Sequence, residues 1–327
     1  MPKTILYLDQ NYLSWLAKAA FVDTWADPNK PRYQRLLQVI RAQTAANKLV
    51  CPKSFFHIEE SSASQSLSEV YWRLIDDLSH DISLRAYPEV HTAQVFLAAR
   101  DFVGERQQVE SWRIAYESNP DVPVKTGLRI MAHSGVFEAP DMVAAQRAQG
   151  DSAHKMYLGY RKQRATAGLR FVEEYEVQVD REVAEYRQMV RGAIPQATMP
   201  EGLRFLEEMG MLEVLETGRL LAEILRRSAR PVDFWAAPQL RTSLFISIRA
   251  GLTAADIVFR ERDKRNRGIF NDFNAVAAYL PYVTIMTVDK NTKEIIKQAG
   301  LLQRFPTTVL SSSQEDVQGL IASLEML

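Results

Sequence analysis

The sequence predicts an α/β fold: a parallel sheet assembled from the two ends of the chain, with an all-helical segment inserted between them. Three observations predict it. Short apolar runs rich in β-branched residues alternate with helical periodicity at the start of the chain, and the same grammar returns at its end. The long stretch between, 85–255, shows helical periodicity and no convincing strand pattern. The composition, 46% hydrophobic and 24% charged over 327 residues, is that of a folded protein with a sizeable core rather than a disordered chain.

Residues 4–8 (TILYL) read as a buried strand, closed at once by Asp9 and followed by a helical pattern through Tyr12, Leu13, Leu16 and Ala20. A helix around 33–46 leads to a second short strand, 48–52 (KLVCP). Ser54 then suits the N-cap of a helix carrying Glu59 and Glu60. Near the other end a helix over 271–279 precedes a strand at 282–288 (YVTIMTV), closed by Asp289. A helix over 292–298 and a fourth strand at 307–310 (TTVL) follow. Alternation of this kind predicts parallel pairing. The sheet is expected from 1–84 and 256–327, and the helical insertion from 85–255.

Inside the insertion, Val172, Tyr175, Val179, Val183, Tyr186 and Val190 recur at steps of three and four, one apolar stripe on a solvated helix. A second helix starts at Pro200 and runs through Leu203, Leu206, Met211, Leu215, Leu220 and Leu221 to Arg227. Both stripes are expected to face core, with a homodimer face as the alternative.

Formal net charge is zero, with 40 basic and 40 acidic residues, which excludes a broadly basic surface gripping nucleic acid by charge alone. The single cysteine, Cys51, excludes an intramolecular disulfide and a zinc site built on several cysteines. The opening run is too short for a signal segment, and the longest mostly apolar stretch, 275–288, is broken by Pro281 and falls short of the roughly 20 residues of a membrane span. A cytoplasmic protein without a membrane anchor is expected.

The acids carry the functional signal. Asp9 and Asp289 end predicted strands, Asp272 opens a late helix, and Glu59 lies in the helix after the second strand. In an open α/β sheet, ligands gather beyond the carboxyl ends of the strands, so acids distant in sequence can converge there. Carboxylates brought together repel one another unless protonated or neutralised by a cation, and hard oxygen donors suit Mg²⁺ or Mn²⁺.

Four pieces, YLDQNYLSWLA at 7–17, CPKSFFHIEE at 51–60, NDFNAVAAYL at 271–280 and TIMTVDKN at 284–291, resemble the PIN-domain, or PIN-like, metal-dependent nucleases. The resemblance covers the two ends of the chain and not the insertion. It implies a three-layer parallel sheet core and a Mg²⁺- or Mn²⁺-dependent endonuclease, with RNA favoured over DNA as substrate. By it, Asp9, Glu59, Asp272 and Asp289 would be catalytic and metal-binding carboxylates, and Thr287 would support the site through its hydroxyl. Glu59 and Glu60 cannot share a helix face; Glu59 follows Ile58 as in the family pattern, and Glu60 is the alternative. The insertion would select substrate, dimerise, or receive an inhibitor or regulatory protein.

Other readings compete at these positions. Asp9 and Asp272 are also suited to helix N-caps, and Asp289 to a surface turn. Asn271, Asn274, Gln10 and Asn11 suit either water and phosphate positioning or ordinary caps. His57 reads as a packed or capping histidine more readily than as a base. The run 260–267 (RERDKRNR) has five basic and two acidic residues and is either a solvated face or a local phosphate grip through Arg262, Lys264, Arg265 and Arg267. Arg226, Arg227, Arg230 and Arg241 would extend that grip if the insertion folds over the crevice. A phosphatase with Asp9 as nucleophile is disfavoured because Asn11 stands where a second acid is needed. A non-enzymatic alternative is a catalytically silent PIN-like scaffold that binds RNA or docks a partner.

Overall fold

The computed structural model describes residues 2–57, 68–122, 140–196, 212–259 and 268–327. The first unit runs β1 (Thr4–Tyr7), α1 (Gln10–Phe21), α2 (Lys30–Ala45), β2 (Leu49–Val50) and α3 (Ser68–Ser79). The helical stretch follows as α4 (Tyr87–Phe102), α5 (Ser111–Ala115), α6 (Pro140–Ala165), α7 (Phe171–Gln196), α8 (Leu212–Leu225), α9 (Pro238–Arg241) and α10 (Leu244–Phe259). The chain closes with α11 (Ile269–Tyr279), β3 (Ile285–Val288), α12 (Lys290–Gln298), α13 (Leu301–Arg304), β4 (Thr308–Ser311) and α14 (Gln314–Glu325).

All four predicted strands form, and every pairing is parallel, in the order β2-β1-β3-β4. β2 is shorter than expected, two residues against five, because Pro52 cannot donate to a ladder and the chain turns away at Ser54. The fold is thus α/β around a small parallel sheet and rich in helix. Side-chain alternation divides it into layers. Ile5, Tyr7, Val50, Met286, Val288 and Val309 face one core, with α10 and α11; Leu6, Leu8, Leu49 and Ile285 face another, with α1, α2, α3 and α14.

The strand order creates a switch point. After β1 the chain moves outward to β2 through α1, which packs Tyr12, Leu13 and Leu16 on one face of the sheet. After β3 it moves the opposite way to β4 through α12, whose Ile295 and Ile296 lie on the other face. The chain diverges beyond the adjacent ends of β1 and β3, where open α/β sheets place a crevice.

Between residues 85 and 255 the described residues form helices and contain no named strand. Val179, Val183, Tyr186 and Val190 are buried as the stripe predicts. Val172 is not: it is 68% exposed, because its neighbour Phe171 takes the inward position and stacks on Phe259 at 5.6 Å. Of the second predicted helix, residues 200–211 lie outside the described residues; in α8, Leu221 is buried and Leu220 exposed.

Helix α10 joins the two regions. It packs on α7 and α4 on one side and on α11 and α12 on the other, and its residues from Phe245 to Ile257 are buried almost without interruption. Being surrounded, it is apolar on nearly every face. Its buried charges are paired. Asp256 accepts a hydrogen bond from the Tyr157 hydroxyl at 2.6 Å and faces the Arg161 guanidinium at 3.5 Å, and Arg249 meets Glu182 of α7 at 2.8 Å. A third buried carboxylate, Glu174, receives Arg164 through two bonds of 3.2 and 2.8 Å. No single helix among the described residues is long and apolar enough to cross a membrane.

Removing one member of a buried ion pair strands the other's charge in a poorly solvated site. Asp256→Ala is therefore expected to lower unfolding free energy by about 3 to 5 kcal/mol in urea denaturation.

Candidate functional site

The register of the sheet decides which acids meet. Leu6 pairs with Ile285 and Tyr7 with Met286, so β1 and β3 end side by side. Asp9 and Asp289 then leave neighbouring strands at the switch point. The Thr287 hydroxyl extends this junction past the last ladder pair. It accepts the Asp9 backbone N–H at 2.8 Å and donates to the Tyr7 carbonyl at 3.2 Å while fully buried. Thr287 thus holds Asp9 through its main chain.

Each strand-ending aspartate also caps a helix. Asp9 Oδ1 accepts from the Tyr12 N–H at 3.0 Å, and Oδ2 from the Asn11 amide at 3.4 Å. Asp289 Oδ1 accepts from the Asn291 and Thr292 N–H groups at 2.6 and 3.0 Å. The N-terminal ends of α1 and α12 therefore stabilise both negative charges. The capping role expected as an alternative for Asp9 coexists with its place in the crevice. For Asp289 the expected surface turn is instead a helix cap.

Asp272 differs. Helix α11 begins at Ile269 with Gly268 at its N-cap, so Asp272 lies one turn inside rather than at the start, and its N-cap alternative is overturned. It reaches the same cluster through Thr292, whose hydroxyl lies 2.7 Å from Asp289 Oδ2 and 3.4 Å from Asp272 Oδ2. A hydroxyl has one proton, so it serves the two carboxylates unequally. Thr292 is buried; its sequence signal was present, since it stands three residues after a capping Asp, but only the folded chain brings Asp272 to it.

Electrostatics follow from this crowding. Burial pushes the Asp9 carboxyl up to about 6; the Tyr12 and Asn11 donors pull against that rise, and the Asp289 charge adds to it. Among the described residues, no three His, Cys, Asp or Glu side chains are grouped closely enough to hold a metal ion by themselves. Glu59, the fourth expected ligand, and Glu60 lie outside the described residues, as do Arg262, Lys264, Arg265 and Arg267. Asn271 is partly exposed on α11 beside Asp272. Gln10 accepts a hydrogen bond from the Tyr71 hydroxyl of α3.

His57 is buried, and burial lowers its pKa to about 4, which leaves a neutral ring at physiological pH. It is packed, as its sequence context suggested. Of the arginines expected to extend a phosphate grip, three are committed to carboxylates. Arg227 binds Glu105 at 2.6 Å, Arg230 binds Asp233 at 2.9 Å, and Arg241 binds Glu176 at 2.7 Å and also Asp180. Two clefts of about 510 and 590 Å³, one bordered by Arg161, Arg164 and Glu174 and the other by Arg187, Arg191 and Trp235, contain none of the clustered acids. No family model, curated protein or solved structure matches this chain.

Asparagine keeps the shape and capping ability of aspartate but not its charge. The raised pKa means that native Asp9 retains its proton between about pH 4 and 6 while the unfolded chain has lost it. Stability of the metal-free protein should therefore fall as pH rises through that window. Above it, Asp9→Asn should be more stable than wild type by about 1 kcal/mol, allowing for the partial solvent exposure of the carboxyl. Thermal melts in chelator at pH 4 and pH 7 check this; a difference of the same size at both values would contradict it.

Proposed function

We propose that this protein is a Mg²⁺- or Mn²⁺-dependent endonuclease of PIN-like type, hydrolysing phosphodiester bonds in RNA. One observation carries the reading: Asp9 and Asp289 end adjacent parallel strands at the sheet's switch point, and Asp272 shares the Thr292 hydroxyl with Asp289. The four stretches resembling the family contain these acids, and their order along the chain agrees with it. The donor set is all hard oxygen, and the raised Asp9 pKa reflects burial together with the Asp289 charge, which a cation would offset.

Asp9 and Asp272 would be direct ligands, with Glu59 and Asp289 completing the site directly or through waters, because the described acids do not by themselves form a group of three close enough to hold an ion. Such an ion lowers the pKa of water and offsets negative charge on a phosphodiester. The chain's own residues supply the rest. Thr287 fixes the main chain of Asp9, and Thr292 orients the carboxylates of Asp272 and Asp289. The exposed Asn11 and partly exposed Asn271 offer amides at the rim, where a phosphate oxygen or a water needs a donor. The basic stretch 260–267, which lies outside the described residues, precedes α11 closely in sequence and would supply phosphate contacts.

Asp272→Asn is expected to abolish Mn²⁺-dependent cleavage of single-stranded or structured RNA with little change in the thermal midpoint. Normal cleavage by that variant would remove Asp272 from the site. No cleavage by wild type across a varied RNA set would favour the silent scaffold. Neutralising Arg265 and Arg267 together should weaken RNA binding at low salt more than at high salt, because exposed phosphate contacts are screened. Equal losses in filter binding at both salts would argue against a phosphate grip.

A further inference from the structure

The neutral imidazole of His57 stands where the sheet runs out of strand. β2 pairs only Thr4 and Ile5 of β1, and beyond Val50 the chain reaches Pro52, which has no N–H to offer. Among the described residues no ladder pair continues β1 and β2 beyond Ile5 and Val50, while β3 and Thr287 serve the other side. Carbonyls alternate in direction along a strand. The Tyr7 carbonyl points to Thr287 on β3; the next carbonyl, that of Leu8, points back toward β2 and meets His57 Nε2 at 2.7 Å.

The other ring nitrogen settles the proton's place. Nδ1 lies 3.2 Å from the Ser54 backbone N–H, which can only donate, so Nδ1 must accept. The proton of the neutral ring is then on Nε2 and is donated to Leu8. The His57 N–H in turn lies 3.4 Å from the Ser54 hydroxyl, closing a small loop around the turn. The ring stacks on Tyr7 with centroids 5.4 Å apart and planes 19° from parallel, and is 2% exposed. Position and tautomer are both fixed.

Resting on the metal-site reading above, the geometry points to His57 as a positioning residue for Asp9: its side chain takes the place of a ladder rung and ties Leu8, directly before Asp9, to the turn at Ser54. Leu8 directly precedes Asp9, and Glu59 follows His57 by two residues. One ring thus continues, by a side chain, the join between these two segments that the β1–β2 pairing begins. Without the Nε2–H···O=C bond the main chain before Asp9 is fastened on the β3 side only. His57 touches neither substrate nor ion in this assignment and acts only through the backbone it holds.

Two amide substitutions separate the two ring nitrogens. In His57→Gln the terminal NH₂ occupies the place of Nε2 and can donate to Leu8. In His57→Asn the amide reaches only the place of Nδ1 and Ser54. Calorimetric Mn²⁺ affinity and thermal midpoint, measured on the full chain beside wild type and Asp272→Asn, test the assignment. The expected result is an affinity within about threefold of wild type for His57→Gln and at least tenfold weaker for His57→Asn, the loss that removal of a ligand's supporting hydrogen bond typically produces. Both variants should keep a cooperative melt. Wild-type affinity in His57→Asn, with binding abolished in Asp272→Asn, would overturn the positioning role and leave the metal site standing. Equal weakening in Gln and Asn would overturn it also, since the Leu8 bond would not be what matters. No Mn²⁺ binding by wild type would overturn the metal site itself and this role with it.

Discussion

The adjacency of β1 and β3 is the constraint from which the rest of the site follows. Parallel pairing of these strands from opposite ends of the chain places Asp9 and Asp289 side by side. Because α1 and α12 then leave toward opposite faces, nothing of the sheet itself fills the space beyond the strand ends. The same geometry turns the first N–H groups of two helices toward that space, so negative charge collects where helix ends favour it. Those caps do not remove mutual repulsion, and the raised pKa of Asp9 records burial and repulsion together.

Helix α10 gives this sheet-end site a rigid background. It lies between the helices of the long middle stretch and the pair α11 and α12, which carry Asp272 and the Asp289 cap. A surrounded helix cannot present a polar face, so its Asp256 and Arg249 find partners on α6 and α7. Such pairs add less to stability than they take away when broken, and they restrict how the middle stretch can pack on the sheet domain. Substitutions there would be felt at Asp272 through α11.

Much of the scaffold was legible in the residues. TILYL, KLVCP, YVTIMTV and TTVL are runs whose length and β-branching suit buried strands, and an Asp directly after two of them marks the strand end; the helix cap is legible for Asp9, whereas Asp289 reads as a surface turn and is a cap in the structure. What could not be read was register. It decides that Asp9 meets Asp289, and no local pattern encodes which strands become neighbours. The bond of Thr292 to Asp272 joins residues on different helices, and the contact of the packed His57 with Leu8 spans 49 positions, so neither partner is legible locally. The buried pairing of Asp256 with Tyr157 and Arg161 spans about a hundred positions and has no local signal. Arg227, Arg230 and Arg241 erred in the opposite direction: they looked available for phosphate and are held by carboxylates.

On the proposed reading the neighbouring aspartates take a cation, which displaces the proton that Asp9 holds in the metal-free protein. Calorimetric titration of the metal-free wild type with Mn²⁺ at about pH 5.5, repeated in two buffers of different ionisation enthalpy, tests it most directly. Saturable binding with release of about three quarters of a proton per ion is expected, since a carboxyl of pKa about 6 holds that fraction at about pH 5.5 and must shed it to coordinate. Absence of binding, or binding with no proton release, would contradict it.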